Sequence, residues 1–149
     1  MKGFSLTPQE EKLNTLKQLM PEVFCENKID FETLPGPTAL IPALVGSGFP
    51  CDRFCFEGFL PHKKGRQTKL IELSKEERTI VLYESPHRIV KCLAQIEEFF
   101  EPVRNVCVVR EISKIYEEFK RGTATQVREY YEQHPPKGEI VLIIEGKKN

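Results

Sequence analysis

The sequence predicts an α/β fold, a mixed sheet flanked by helices, on three observations. Short runs rich in Val, Ile and Phe recur at Arg53–Leu60, Thr79–Tyr83, Asn105–Arg110 and Glu139–Glu145. Apolar on both alternating faces, such runs need covering layers above and below the sheet. Between them lie segments with apolar residues at helical spacing, clearest at Ile89, Leu93, Ile96 and Phe100. Third, 149 residues at 40% apolar and 30% charged composition suit one domain with a short appendage and are too apolar for a disordered chain.

In chain order, Thr7 and Glu10 have capping-box spacing, and Leu13, Leu16, Leu19 and Met20 form an apolar stripe ending near Pro21. This predicts a short amphipathic helix within a leader, residues 1–34, that holds four basic and six acidic residues. Pro35-Gly36-Pro37 punctuates its end. The domain then occupies residues 35–149. Thr38–Val45 reads as a small-residue helix stopped by Gly46-Ser47-Gly48, Arg53–Leu60 as an aromatic strand, His62–Thr68 as a basic loop and Leu70–Glu77 as a helix. After the β-branched strand Thr79–Tyr83, Ser85 and Pro86 suit the N-cap and first turn of a helix running to about Phe100. Asn105–Arg110 and Glu118–Arg121 follow as strands, Ala124–Gln133 as a helix, and Glu139–Glu145 as a final, nearly all-apolar strand.

Composition narrows the function. Apolar runs such as Ile140–Ile144 are far shorter than the roughly 20 residues a membrane helix needs, and no charged-then-apolar signal opens the chain. A cytoplasmic protein without a membrane partner is expected. Twenty-two basic residues balance twenty-two acidic ones, so any nucleic-acid contact must use a local patch. One such patch exists: Arg53 through Lys69 carries five basic residues against one acid. Five cysteines without a CxxC spacing suggest neither a disulfide framework nor zinc, and Cys51, Cys55 and His62 lack a second pair of ligands. Reduced, mostly buried thiols and no metal are expected.

Four segments can carry chemistry, each with a plainer alternative. Leu34-Pro35-Gly36-Pro37-Thr38-Ala39 puts a rigid turn before a helix N-terminus, where free amides approach anions, though any loop–helix junction looks the same. Phe54 to Arg66, FCFEGFLPHKKGR, joins an aromatic strand to a loop that tracks phosphates or is simply solvated. Tyr83-Glu84-Ser85-Pro86-His87-Arg88 lies at the carboxyl end of a strand, where open α/β sheets hold ligands. Glu84 and His87 are acid–base types, but no partner for either is readable. Arg110 to Lys114 and Glu117 to Thr123 form a charged stretch that surface ion pairs explain equally well.

The order of these segments adds what each lacks alone. PGPTAL, GFPCDRFCFEGFLPHKKGR, TIVLYESPHR, CVVREISKIYEEFKRGT and KGEIVLIIEG together resemble the C-terminal half of the bacterial ribose 2′-O-methyltransferases that modify a cytidine of 16S ribosomal RNA, within the tetrapyrrole methylase-like fold. The resemblance covers residues 34 to about 147. It implies S-adenosylmethionine as cofactor, in a cleft between two α/β domains of which this chain carries the second. The family's opening glycine-rich loop of the type GTPIGN does not occur here. One wall of the cleft is therefore expected to be missing, and the lone chain to hold the cofactor poorly.

Carried over by position, the resemblance implies that Pro35, Gly36, Pro37, Thr38, Ala39, Leu82, Tyr83, Glu84, Gly122, Thr123, Gly138, Glu139 and Ile140 border the cofactor. Lys63, Lys64, Arg66 and Arg88 would face RNA. Small-subunit rRNA or the ribosomal subunit is the implied partner, with a homodimer as a further option. No catalytic base is assigned. A non-catalytic RNA-binding or dimerisation module is the competing reading. Residues 12–34 resemble instead the leader of type III-like adenine-specific DNA methyltransferases.

Overall fold

The computed structural model describes residues 26–28, 35–101 and 103–148. The chain divides into two units, Met1–Pro37 and Thr38–Asn149. The leader helix expected from Thr7 to Met20 falls outside the described residues.

In the second unit, strands β1 (Phe54–Phe59), β2 (Thr79–Glu84), β3 (Asn105–Arg110), β4 (Glu118–Thr123) and β5 (Ile140–Ile144) form one sheet in the order β1-β2-β5-β3-β4. β1 and β2 run parallel; β5 is antiparallel to both β2 and β3, and β3 to β4. The sheet is thus mixed, as the sequence predicts. All five residues of β5 are buried, which explains its unbroken Ile-Val-Leu-Ile-Ile run at the sheet's centre.

Helices α1 (Leu40–Ser47), α2 (Arg66–Ser74), α3 (Ile89–Phe99) and α4 (Ala124–Gln133) cover the sheet unequally. On one face Ile80, Leu82, Val108 and Leu142 pack against Leu70 and Leu73 of α2, Leu93 and Ile96 of α3, and Val127 and Tyr131 of α4. On the other, Val81, Cys107, Val109, Val141 and Ile143 meet Ala43 and Leu44 of α1, with Tyr83 and Phe119 at the margin. Each fully buried aliphatic side chain contributes about 1.5–3 kcal/mol by leaving water. The inner face expected for α3, with Ile89, Leu93, Ile96 and Phe100, is buried throughout.

Several boundaries differ from the sequence reading, each for a local reason. The helix expected over Leu70–Glu77 is Arg66–Ser74. It begins after Gly65, whose φ of +83° sets a left-handed entry, and it ends at Ser74, beyond which Arg78 folds back on Glu76, its Nε and Nη2 each donating at 2.8 Å. The helix expected over Thr38–Val45 is displaced to Leu40–Ser47 and closes at left-handed Gly48. Ser85 caps a turn rather than the helix itself: its Oγ accepts the His87 amide at 3.2 Å, and α3 begins at Ile89. Among the thiols, Cys92 and Cys107 are buried and Cys55 is half-buried, but Cys51 is exposed, contrary to a mostly buried set; Cys25 is outside the described residues. No helix among the described residues is long and apolar enough to cross a membrane.

Candidate functional site

Strand register brings three chain segments to one end of the sheet. Glu84 pairs with Ile140, and Ile140 pairs with Arg110. On the face that α1 only partly covers, this end opens into a pocket of about 440 Å³ walled by Ala39, Phe59, Tyr83, Val109, Ile112 and Val141. Glu84 to Pro86 and Gly138 to Ile140 form its rim. The wall is mainly aliphatic and aromatic. Tyr83 is braced by Phe56 and Phe59, with ring centroids 5.1 and 5.7 Å away.

Of the residues expected to border a cofactor, the structure brings together Ala39, Tyr83, Glu84, Gly138, Glu139 and Ile140. Within the same unit, Thr38, Leu82, Gly122 and Thr123 are not among the pocket's lining residues. Leu82 points to the opposite face of the sheet, into the core under α2–α4. Gly122 and Thr123 stand at the far end of β4, where Thr123 pairs with Asn105 and caps α4 in a capping box with Gln126. Thr38 is exposed beside the pocket's Ala39, and its Oγ1 accepts the Leu40 amide at 3.4 Å. Pro35, Gly36 and Pro37 are exposed and belong to the first unit.

The rim at Gly138 is fixed by backbone geometry. Gly138 has φ +86°, and a Cβ there would run into the Glu111 carboxylate. That carboxylate accepts the Glu139 amide at 2.9 Å, while the Glu111 amide donates to the Glu139 carbonyl at 3.0 Å. The Glu139 amide, reinforced by Lys114, holds the Glu111 carboxyl below the usual carboxylate range.

Beneath the pocket, Glu84 is 4% exposed and fully engaged. Its Oε1 accepts the Ser85 amide at 2.7 Å and lies 2.9 Å from Arg88 Nε; its Oε2 lies 3.4 Å from Arg66 Nη2. Burial, with Glu84 as the nearest negative charge, pushes the Cys92 thiol up to about 12. Glu84, proposed above as an acid–base type, is therefore a structural anchor, while His87 is exposed.

The expectation that Arg66 faces RNA is corrected. Arg66 is buried, and donates to Gln95 Oε1 at 2.7 Å and to the Pro61 carbonyl at 3.2 Å besides Glu84. A buried carboxylate eighteen residues away needs a cation, and this guanidinium supplies it. Lys63 and Lys64 are exposed. Arg88, part-exposed, reaches out to exposed His62 with Nη1 2.6 Å from Nδ1. The sequence reading missed Phe59, Val109, Ile112 and Val141 in the pocket wall. Alternation within the strands was their only signal, and it does not say which face opens. Among the described residues, no group of three or more His, Cys, Asp or Glu is placed to hold a metal ion.

Comparison with known proteins bears on this site. The profile described as Tetrapyrrole (Corrin/Porphyrin) Methylases matches residues 15–128, reaching back into the segment read as a leader. A protein of Synechocystis sp. named ribosomal RNA small subunit methyltransferase I is 46% identical over 122 residues, 81% of this chain and 44% of the relative. The chain spans about half the length of the curated relatives it matches. Among solved structures, a cobalamin biosynthetic enzyme, cobalt precorrin-4 methyltransferase, superposes with TM-score 0.63 at 16% identity, over 97% of this chain and 73% of that one. A uroporphyrin-III C-methyltransferase from Thermus thermophilus, complexed with S-adenosylhomocysteine, superposes with TM-score 0.57 at 14% identity, over 91% and 70%.

Proposed function

The chain belongs to the tetrapyrrole (corrin/porphyrin) methylase family, and on that footing we propose that it is the C-terminal domain of an rRNA methyltransferase that transfers a methyl group from S-adenosylmethionine to the ribose 2′-hydroxyl of a cytidine in small-subunit rRNA. The observation that carries the reading is convergence: Ala39, Tyr83–Glu84 and Gly138–Ile140, distant in sequence, meet at one apolar pocket. They are also segments through which the chain resembles rRNA methyltransferases.

The pocket fits part of the donor. Nucleoside sites are concave and mostly apolar, with few polar groups setting orientation. Ala39, Val109, Ile112 and Val141 offer the apolar floor, and Tyr83 and Glu139 edge it. When bound, S-adenosylmethionine supplies an electrophilic methyl group on a sulfonium. The chain's own residues bind, orient and exclude water. Glu84, paired with two guanidinium groups, fixes the Ser85 turn at the rim. Transfer further requires the acceptor hydroxyl in line with the methyl carbon and a route for its proton. Lys63, Lys64 and the outer edge of Arg88 provide the cationic margin along which a phosphate backbone would lie. A second reading, a non-catalytic RNA-binding or dimerisation module, draws on the exposure of Phe56 and Phe59 beside the pocket.

Calorimetric titration with S-adenosylmethionine tests the pocket. Weak binding that Tyr83→Ala abolishes supports it. Binding that neither Tyr83→Ala nor Ile112→Asp alters removes it. A Kd near micromolar, about −8 kcal/mol, would overturn the expectation that a second wall is needed. The non-catalytic reading is favoured if labelled methyl never reaches small-subunit RNA, even with the N-terminal half of a relative added, while RNA binding persists.

A further inference from the structure

A second cavity, of about 520 Å³, opens at the same end of the sheet, and Gly138 borders both cavities. Its character is different. Where the first is walled mainly by apolar side chains, this one is lined by Tyr116, Tyr130, His134, Arg110 and Lys137.

Tyr130 is the centre of a built stack. Its hydroxyl donates to Glu118 Oε1 at 2.6 Å, and Tyr131 meets it edge-on at 5.0 Å. The His134 ring lies over it, tilted by 22° at 4.6 Å, and Lys120 Nζ sits 3.8 Å from its centroid. The phenol ring thus carries both an imidazole and an ammonium group. His134 Nδ1 also lies 3.0 Å from the Tyr130 carbonyl. The outermost layer of this stack is thus a held but exposed imidazole. Tyr116, 71% exposed, stands at the same cavity.

The charges at the cavity are sorted. Glu118 accepts from Tyr130, Tyr131 and Arg110, and these bonds outweigh burial in holding its carboxyl below the ordinary range. Glu111 is matched by Lys114 and the Glu139 amide. Both carboxylates are therefore occupied. Arg110 lines the cavity while its Nε donates to Glu118 at 3.3 Å, and Lys137 is exposed at the rim. Aromatic faces for a base beside cations for a phosphate are what a nucleotide needs.

We propose that this cavity is a subsite for one unpaired nucleotide of the RNA substrate, its base stacking on His134 and Tyr116 and its phosphate held by Arg110 and Lys137. The inference rests on the RNA reading above and adds where a nucleotide neighbouring the target would be gripped.

Two probes separate its failure from failure of that reading. Cytidine 5′-monophosphate, titrated into the labelled chain, should shift the ring resonances of Tyr116 and His134; absence of any shift at millimolar concentrations overturns the subsite. In anisotropy titrations with a short single-stranded oligoribonucleotide, Tyr116→Ala and His134→Ala should each weaken binding about 5- to 150-fold, the range for losing one stacked base. Tyr116→Phe, which keeps the ring, should bind as the parent does. If Lys63→Ala with Lys64→Ala weakens the oligonucleotide but neither ring variant does, RNA binding stands and the subsite is wrong. If the monophosphate binds at these rings and the oligonucleotide binds nowhere, the nucleotide site stands and the RNA reading falls.

Discussion

Arg66, the first residue of α2, and Glu84, the last of β2, meet 3.4 Å apart with their side chains only 9% and 2% exposed. The pair ties the end of a basic loop to the rim of the apolar pocket. Removing one partner from a buried ion pair strands the other charge, which typically costs about 3–5 kcal/mol; here Arg88 remains as a second cation, so the lower end applies. Arg66→Ala should therefore lower the urea midpoint by the equivalent of about 3 kcal/mol, whereas Lys63→Ala and Lys64→Ala should stay within about 0.5 kcal/mol. Equal midpoints for all three variants would contradict the buried role.

Glu118 sets a pH dependence of definite sign. Its carboxyl titrates below its ordinary 4.5 in the folded chain because hydrogen bonds from Tyr130, Tyr131 and Arg110 overcome the opposing effect of burial. A depressed native value means stability that is present above that ordinary value and fades as pH falls through the native one. Glu118→Gln should cost about 1.5–3 kcal/mol near neutrality, the range for hydrogen bonds to a charged group. Denaturant midpoints of parent and variant should converge well below pH 4.5; a gap that widens on acidification would reverse the assignment.

Gly138→Ala tests the shared rim. The φ of +86° alone penalises a side chain by about 1–2 kcal/mol, and the new methyl would also displace the Glu111 carboxylate. The thermal midpoint should fall, and donor binding should weaken with it, because the Glu139 amide loses its acceptor. Retention of both would mean the rim relaxes freely.

Thiol accessibility gives a further expectation. The thiolate is the reactive form. Burial, with Glu84 nearby, pushes Cys92 up to about 12, and burial raises Cys107 to about 11. In native buffer, mass-mapped alkylation should find, among the four described thiols, Cys51 modified first, Cys55 slowly, and Cys92 and Cys107 only after unfolding. Rapid labelling of Cys92 in the folded chain would contradict its zero exposure.

These outcomes also mark what the sequence could convey. The apolar run of β5 and the spacing of Ile89, Leu93 and Ile96 in α3 announce themselves, because burial there is decided by neighbours of the same kind. The start of α2 did not, since Arg66 reads as one more charge in a basic stretch until Glu84 and Gln95 are brought to it from 18 and 29 residues away. Ala39, Tyr83 and Glu139 were legible as pocket residues through resemblance. Val109 and Val141 were not, because strands apolar on both faces hide which face stays open. Gly122 and Thr123, grouped with the pocket by resemblance, are held a strand's length away by the Asn105–Thr123 pairing.

The position of β5 has a consequence for biogenesis. It is central in the sheet yet follows every other strand in the chain. During vectorial synthesis β1 with β2, and β3 with β4, emerge as two separate two-stranded pieces, each marginal in water. They cannot be joined until Ile140–Ile144 leaves the ribosome and inserts between them. Released chains truncated before residue 140 should thus remain open to proteases and chaperones, and extending them through Ile144 should convert them together into the joined sheet.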